Sequence, residues 1–175
     1  EHFPLVPVEE EGRLNDSKLR ETFIEQIFTL MRWRKTISKK NHMGNLVDFH
    51  TRHKLLIMSH SPNHSRTMGK LVAEGKALPM KDLFTQYEIL LMWALSLKTT
   101  LKKNIDVLQH IMGYFKKQLS PDEKQELLEI IEQYRQEYVP LIVPVTLLNH
   151  YVRKYRQPYL AQQIYLNPHP IALKL

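Results

Sequence analysis

The chain has 175 residues, which suits one domain and is too short for two full ones. It contains no cysteine, so disulfides, thiolate zinc sites, iron–sulfur clusters and thiol catalysis are excluded. Its 25 Lys and Arg against 18 Asp and Glu give a formal charge of +7, a balance that fits a polyanionic partner only if the cations gather on one surface.

Residues 1–14 carry two prolines, three consecutive glutamates and a glycine, and read as an extended arm. The start, Glu1-His2-Phe3-Pro4, lacks a basic n-region, an apolar h-region and an initiator Met, so a cut or processed start without a signal peptide is expected. Asn15-Asp16 can cap a first helix, with Leu19, Phe23, Ile27 and Met31 at four-residue spacing; this pattern fades in the basic stretch Arg32–Lys40. A second helix is expected over about Leu46–His60. Ser61-Pro62 stops it and starts a third, which Gly75 closes. Pro79 opens a long apolar-periodic stretch, and Thr99-Thr100 and Asn104 suggest a bend before a further helix, Ile105–Leu119. The longest strongly apolar run, Ile89–Leu97, is far short of the roughly 20 residues that a membrane span needs.

Ser120-Pro121-Asp122-Glu123 is the strongest local signal, with Ser as N-cap, Pro at N1 and Glu at N3 of a capping box. That helix should run to about Tyr138. Pro140 and Pro144 then break the chain and start Val145–Arg156. Pro158 opens a short last helix, and Asn167-Pro168-His169-Pro170 begins a tail. No stretch alternates with period two for long enough to argue a sheet. The expected architecture is therefore all-α: a single-domain bundle of about seven helices, with residues 1–40 as arm plus first helix and 41–175 as the helical domain.

The charge is segmented. Residues 1–25 hold three bases against seven acids, and 121–139 two bases against six, a balance of −4 in each. Residues 26–120 carry +11 and residues 140–175 carry +4. Two basic blocks that meet in space would make a patch for a polyanion; two that coat different faces would only keep the protein in solution.

On the second helix His50, His53 and His60 share one face at the edge of the apolar stripe. Three readings compete for them: core-edge histidines bonded to backbone or carboxylates, a metal site built on the i, i+3 pair, or contact with phosphates and bases. Arg52 and Lys54 flank these histidines and Lys39-Lys40 precede the helix, which favours anion contact over the bare metal pair. The zincin pattern of His at i, i+4 beside Glu is missing. No nucleophile has a base and an orienter beside it, and five scattered glycines build no phosphate loop. Cations interleave with aromatics at Arg32-Trp33-Arg34-Lys35 and again from His150 to Tyr159, through Tyr151, Arg153, Lys154 and Tyr155. That is the mixture which single-stranded or looped RNA needs, although Tyr151, Tyr155 and Tyr159 at four-residue spacing equally describe a core stripe.

Several stretches resemble one family. Residues 46–73 (LVDFHTRHKLLIMSHSPNHSRTMGKLVA), 104–135 (NIDVLQHIMGYFKKQLSPDEKQELLEIIEQYR) and the segments PLIVPVTLLNHYVRKY and YLAQQIYLNPHP look like the YbgA-like domain, over about residues 44–170. The start, LVPVEEEGRLNDSKLRETFIEQIF, resembles the segment that joins this domain to a preceding thiouracil-desulfurase-like domain in two-domain relatives. The resemblance implies a cytoplasmic module that binds RNA, with tRNA carrying 4-thiouridine as the expected target. Desulfuration would fall to an iron–sulfur partner domain, which residues 1–40 would adjoin. It implies no cofactor in this chain, no membrane partner, and no catalysis by this chain alone. The residues it carries over are His50, His53 and Lys54 from the first motif, His110, Tyr114, Lys116 and Lys117 from the second, and His150, Tyr151 and Arg153 from the third. Arg52 and Lys154 join them on charge. The rival expectations are a small metalloprotein or enzyme using His50, His53 and His60 or His110, and a helical bundle whose first 40 residues dock on another subunit.

Overall fold

The computed structural model describes residues 5–38 and 42–173. Among these are eight α-helices and no strand, so the chain is an all-α single domain. The helices are α1 Ser17–Ile37, α2 Met43–His60, α3 Pro62–Glu74, α4 Met80–Ser96, α5 Leu101–Tyr114, α6 Pro121–Arg135, α7 Ile142–Lys154 and α8 Pro158–Ala161, the last a single turn. A short 3₁₀ segment, Glu11–Asn15, leads into α1. Lys39-Lys40, expected to extend the cationic surface, lie outside the described residues, as do residues 1–4 of the arm.

The local signals act as their chemistry dictates. The Asp16 carboxylate accepts from the backbone N–H groups of Lys18 and Leu19, which satisfies two of the free donors at the start of α1. Ser120 and Glu123 form the reciprocal capping box of α6. The Ser61 hydroxyl accepts from His64 N–H and separates α2 from α3. Thr100, expected at a bend, caps α5, which therefore begins four residues before Ile105. α7 begins at Ile142, ahead of Pro144; a proline in the first turn removes only an N–H that has no partner within the helix.

α1 also departs from its sequence pattern. It does not fade at Arg32 but runs on to Ile37, because Trp33 is fully buried. The Trp33 ring stacks on Tyr87 at 5.1 Å and meets Phe49 edge-on at 5.1 Å, joining α1, α4 and α2 in one aromatic cluster. Met31, at the end of the four-residue series, is instead 59% exposed. A four-residue step drifts by about 40° around a helix of 3.6 residues per turn, so the buried face passes to Leu30 and Trp33.

α2 lies at the centre of the fold, packed by α1, α3, α4, α5 and the 3₁₀ turn Ile164–Leu166. Leu46, Phe49, His50, His53, Leu55, Leu56, Ile57 and His60 are all buried on it. Gly44, Val47, Asp48 and Arg52 mark its narrow exposed strip. The C-terminal segment returns across the first half of the bundle. Gln163 Nε2 donates to Thr51 O at 2.9 Å, the Arg32 guanidinium donates to Pro168 O, and His169 Nε2 lies 2.7 Å from Glu21 Oε1. One turn further along α1, the buried His60 ring lies 2.8 Å from Leu97 O through Nδ1 and 2.9 Å from Glu25 Oε2 through Nε2. α1 is thus tied to the bundle by two histidine–carboxylate contacts.

Candidate nucleic-acid interface

The residues proposed from sequence fall into three places. The first is an exposed aromatic platform. α5 presents His110 and Tyr114 one turn apart on its outer face, where they meet edge-on at 5.5 Å. Tyr159, from α8, stacks on Tyr114 with centroids 5.1 Å apart and planes inclined by 23°. Lys54 reaches from α2 to place its ammonium 5.0 Å from the Tyr159 ring centroid. Partial burial raises both tyrosine hydroxyls above their usual range. Lys116 and Lys117 follow in the turn after α5 and are exposed. Aromatic faces edged with cations suit unpaired bases on a phosphate chain.

The second place lies on the other side of α2. Arg52 and His53 line a cleft of about 380 Å³ together with Arg32 and Lys35 of α1. Arg52 is paired with Asp48 at 3.5 Å on the exposed strip. His53 is buried and stacked flat on Phe49 at 3.8 Å. Its Nδ1–H donates to Phe49 O at 2.8 Å, and burial, reinforced by Arg32 and Arg52, pushes its pKa down to about 3. His50 points into the core, where Nδ1 lies 3.1 Å from the Tyr87 hydroxyl; burial, with Lys54 nearby, lowers it to about 4. Both rings are therefore neutral near neutral pH and lend no positive charge to the surface.

The third place is the end of α7. Tyr151 is buried, and its hydroxyl donates to Glu126 Oε2 at 2.8 Å. Lys154 pairs with Glu123 at 2.6 Å, and the Tyr155 hydroxyl donates to the same carboxylate at 2.5 Å. These contacts hold Glu123 at about 2. The second basic block thus meets acidic α6, and Lys154 is already neutralised there. His150 and Arg153 remain exposed.

The structure does not bring all twelve residues together: Lys54, His110 and Tyr114 share one surface, Arg52 and His53 another, and Tyr151 and Lys154 serve the α6–α7 contact. Tyr159 and Arg32 are the principal additions. Both stood within the aromatic–basic stretches, but only their long-range partners single them out. Lys103, within the basic block, is taken up by the carbonyls of His60 and Lys98 at 2.6 and 2.8 Å. Among the described residues no three His, Asp or Glu side chains converge in a way that could hold a metal ion, and His64 is bound to the Ser61 hydroxyl.

Comparison with known proteins places this arrangement in a family. The chain is 28% identical over 163 residues to "Uncharacterized protein YbgA" of Escherichia coli (strain K12), a match covering 93% of this chain and 96% of that protein. No solved structure matches. Residues 54–170, which hold the aromatic platform and the returning C-terminal segment, match the family model described as "Protein of unknown function (DUF1722)", and the chain belongs to that family.

Proposed function

We propose that this chain is a cytoplasmic RNA-binding module, with tRNA as its RNA, that serves the removal of sulfur from thiolated uridine by a separate desulfurase-like domain. The observation that carries the reading is the platform of Tyr114, Tyr159 and His110, capped by Lys54 and followed by Lys116 and Lys117. A buried core would account for stacked tyrosines, but His110, Lys116 and Lys117 are exposed and Tyr114 is 37% exposed. The mechanism is division of labour: lysines neutralise the phosphates while the exposed surfaces of His110 and Tyr114 receive unpaired bases. With no cysteine, the chain supplies recognition and the iron–sulfur chemistry belongs to the partner. Residues 1–40 are the expected side of contact with that partner.

The test is tRNA binding by wild type and by the Lys54→Ala/Tyr114→Ala variant. Base–aromatic stacking of about 1–3 kcal/mol per base predicts a loss of that order in the variant. A folded variant with wild-type affinity would remove the platform from the interface. His50 and His53 are unsuitable targets for this question, because both are buried.

A further inference from the structure

Two residues that line the cleft between α1 and α2 each carry a buried polar atom without a partner among the described residues. Arg32 Nη1 is buried without a partner, while the other end of the same guanidinium donates to Pro168 O. His53 Nε2 is likewise buried without a partner, and the residue is only 3% exposed. The tautomer of His53 follows from geometry. Nδ1 lies 2.8 Å from a carbonyl oxygen and must carry the proton, so Nε2 is a bare lone pair. The low pKa of the ring agrees with this neutral form. Just beneath the lining of the cleft therefore lie one donor that needs an acceptor and one acceptor that needs a donor. Around them stand Arg32, Lys35 and Arg52, against the single carboxylate of Asp48.

A fully deprotonated oxyanion meets the cations but has nothing to give His53. A carboxylate or a sulfate would leave the lone pair buried and unmatched, a costly omission. A phosphate that keeps one proton meets both requirements: its oxygens accept from Arg32 and Arg52, and its P–O–H donates to His53 Nε2. The geometry points to this cleft as a binding site for a protonated phosphate group, selective for phosphate over sulfate. Two sources carry that group, inorganic phosphate and a terminal phosphomonoester. The pocket itself does not depend on the RNA reading; only a terminal phosphate of RNA as its occupant does.

Calorimetric titration of the full chain at neutral pH and constant ionic strength tests the assignment, with inorganic phosphate and sulfate as probes. Phosphate should bind saturably, at least about tenfold more tightly than sulfate, because sulfate lacks the O–H that His53 accepts. Arg52→Gln, whose side chain is half exposed and makes only the long pair with Asp48, should weaken phosphate by about fivefold or more and leave the helical circular dichroism unchanged. His53→Phe should bring phosphate down to the affinity of sulfate. Should that variant fail to fold, the phosphate-to-sulfate ratio of wild type and the Arg52→Gln result decide. Equal affinities for the two ions, no saturable phosphate binding, or an unchanged Arg52→Gln variant would overturn the site. A 5′-phosphorylated oligoribonucleotide compared with its 5′-hydroxyl form separates the sources. Tighter binding of the phosphorylated strand, competed by inorganic phosphate, assigns the RNA end. Equal binding of the strands beside intact phosphate binding assigns the free ion. Loss of RNA binding in Lys54→Ala/Tyr114→Ala with phosphate binding retained would separate platform from pocket.

Discussion

At the scale of single residues, the histidines of α2 are the clearest case of burial overriding surface chemistry. An i, i+3 pair beside Arg52 and Lys54 has the composition of an anion-contacting face. What the spacing could not convey is that α2 is surrounded on nearly every side, so that His50 and His53 are held neutral inside the fold. Their low pKa values, about 4 and about 3, have a consequence for stability. The unfolded chain protonates both near 6.5 and the folded chain does not, so below that pH the unfolded state binds more protons. Stability is unaffected by these groups above pH about 6.5, and it falls as the pH drops from there toward 4 and 3. Each pH unit over which a proton binds the unfolded chain alone costs roughly 1.4 kcal/mol, so the two histidines together should cost a few kcal/mol by pH 5. Urea midpoints at pH 7 and pH 5 check this, and the difference should shrink in His50→Gln. Glu123 adds a second, more acidic loss. Lys154 and Tyr155 hold its pKa near 2, so its contribution is present above the ordinary carboxylate value of 4.5 and disappears as the pH falls from there through 2.

At the scale of elements, the capped starts of α1, α3 and α6 were legible, while the extent of α1 and the orientations of the helices were not. Ser120–Glu123, Asp16 and Ser61 state their roles within three or four residues, because caps act on neighbouring backbone groups, whereas Thr100 reads as a bend until α5 is seen to start on it. The extent and rotation of α1 depend on partners far along the chain, Tyr87 and Phe49 for Trp33 and Pro168 for Arg32. The same holds for the platform, which needs α8 laid beside α5 before Tyr159 can find Tyr114 and Lys54. α1 should accordingly behave as part of the bundle. Truncating Trp33 to Ala should cost about 3–5 kcal/mol, as expected for a large buried aromatic side chain. Breaking the buried His60–Glu25 contact by His60→Ala should cost about as much, since it leaves a carboxylate with little water beside it. Denaturant unfolding of both variants checks these values, and a cycle with Glu25→Ala should show coupling between the two positions.

At the scale of the whole molecule, charge and shape divide the labour. The formal +7 masks acidic and basic segments that the fold partly cancels, since acidic α6 receives the basic end of α7. Cations gather beside aromatic or cleft surfaces at Lys54, Lys116 and Lys117 and at Arg32, Lys35 and Arg52, while others, Arg153 among them, stand exposed elsewhere. Binding dominated by such contacts releases counterions, so the logarithm of tRNA affinity should fall linearly with the logarithm of salt concentration between about 50 and 200 mM. Lys116→Gln/Lys117→Gln should make that slope shallower with little change in thermal stability, because both side chains are exposed. The most direct measurement is the affinity of the full chain for tRNA across that salt range, made in parallel with Lys54→Ala/Tyr114→Ala. RNA recognition by the platform predicts saturable binding that weakens with salt and drops about fivefold or more in the folded variant. Binding that is absent, indifferent to salt, or equal in the two proteins would contradict it.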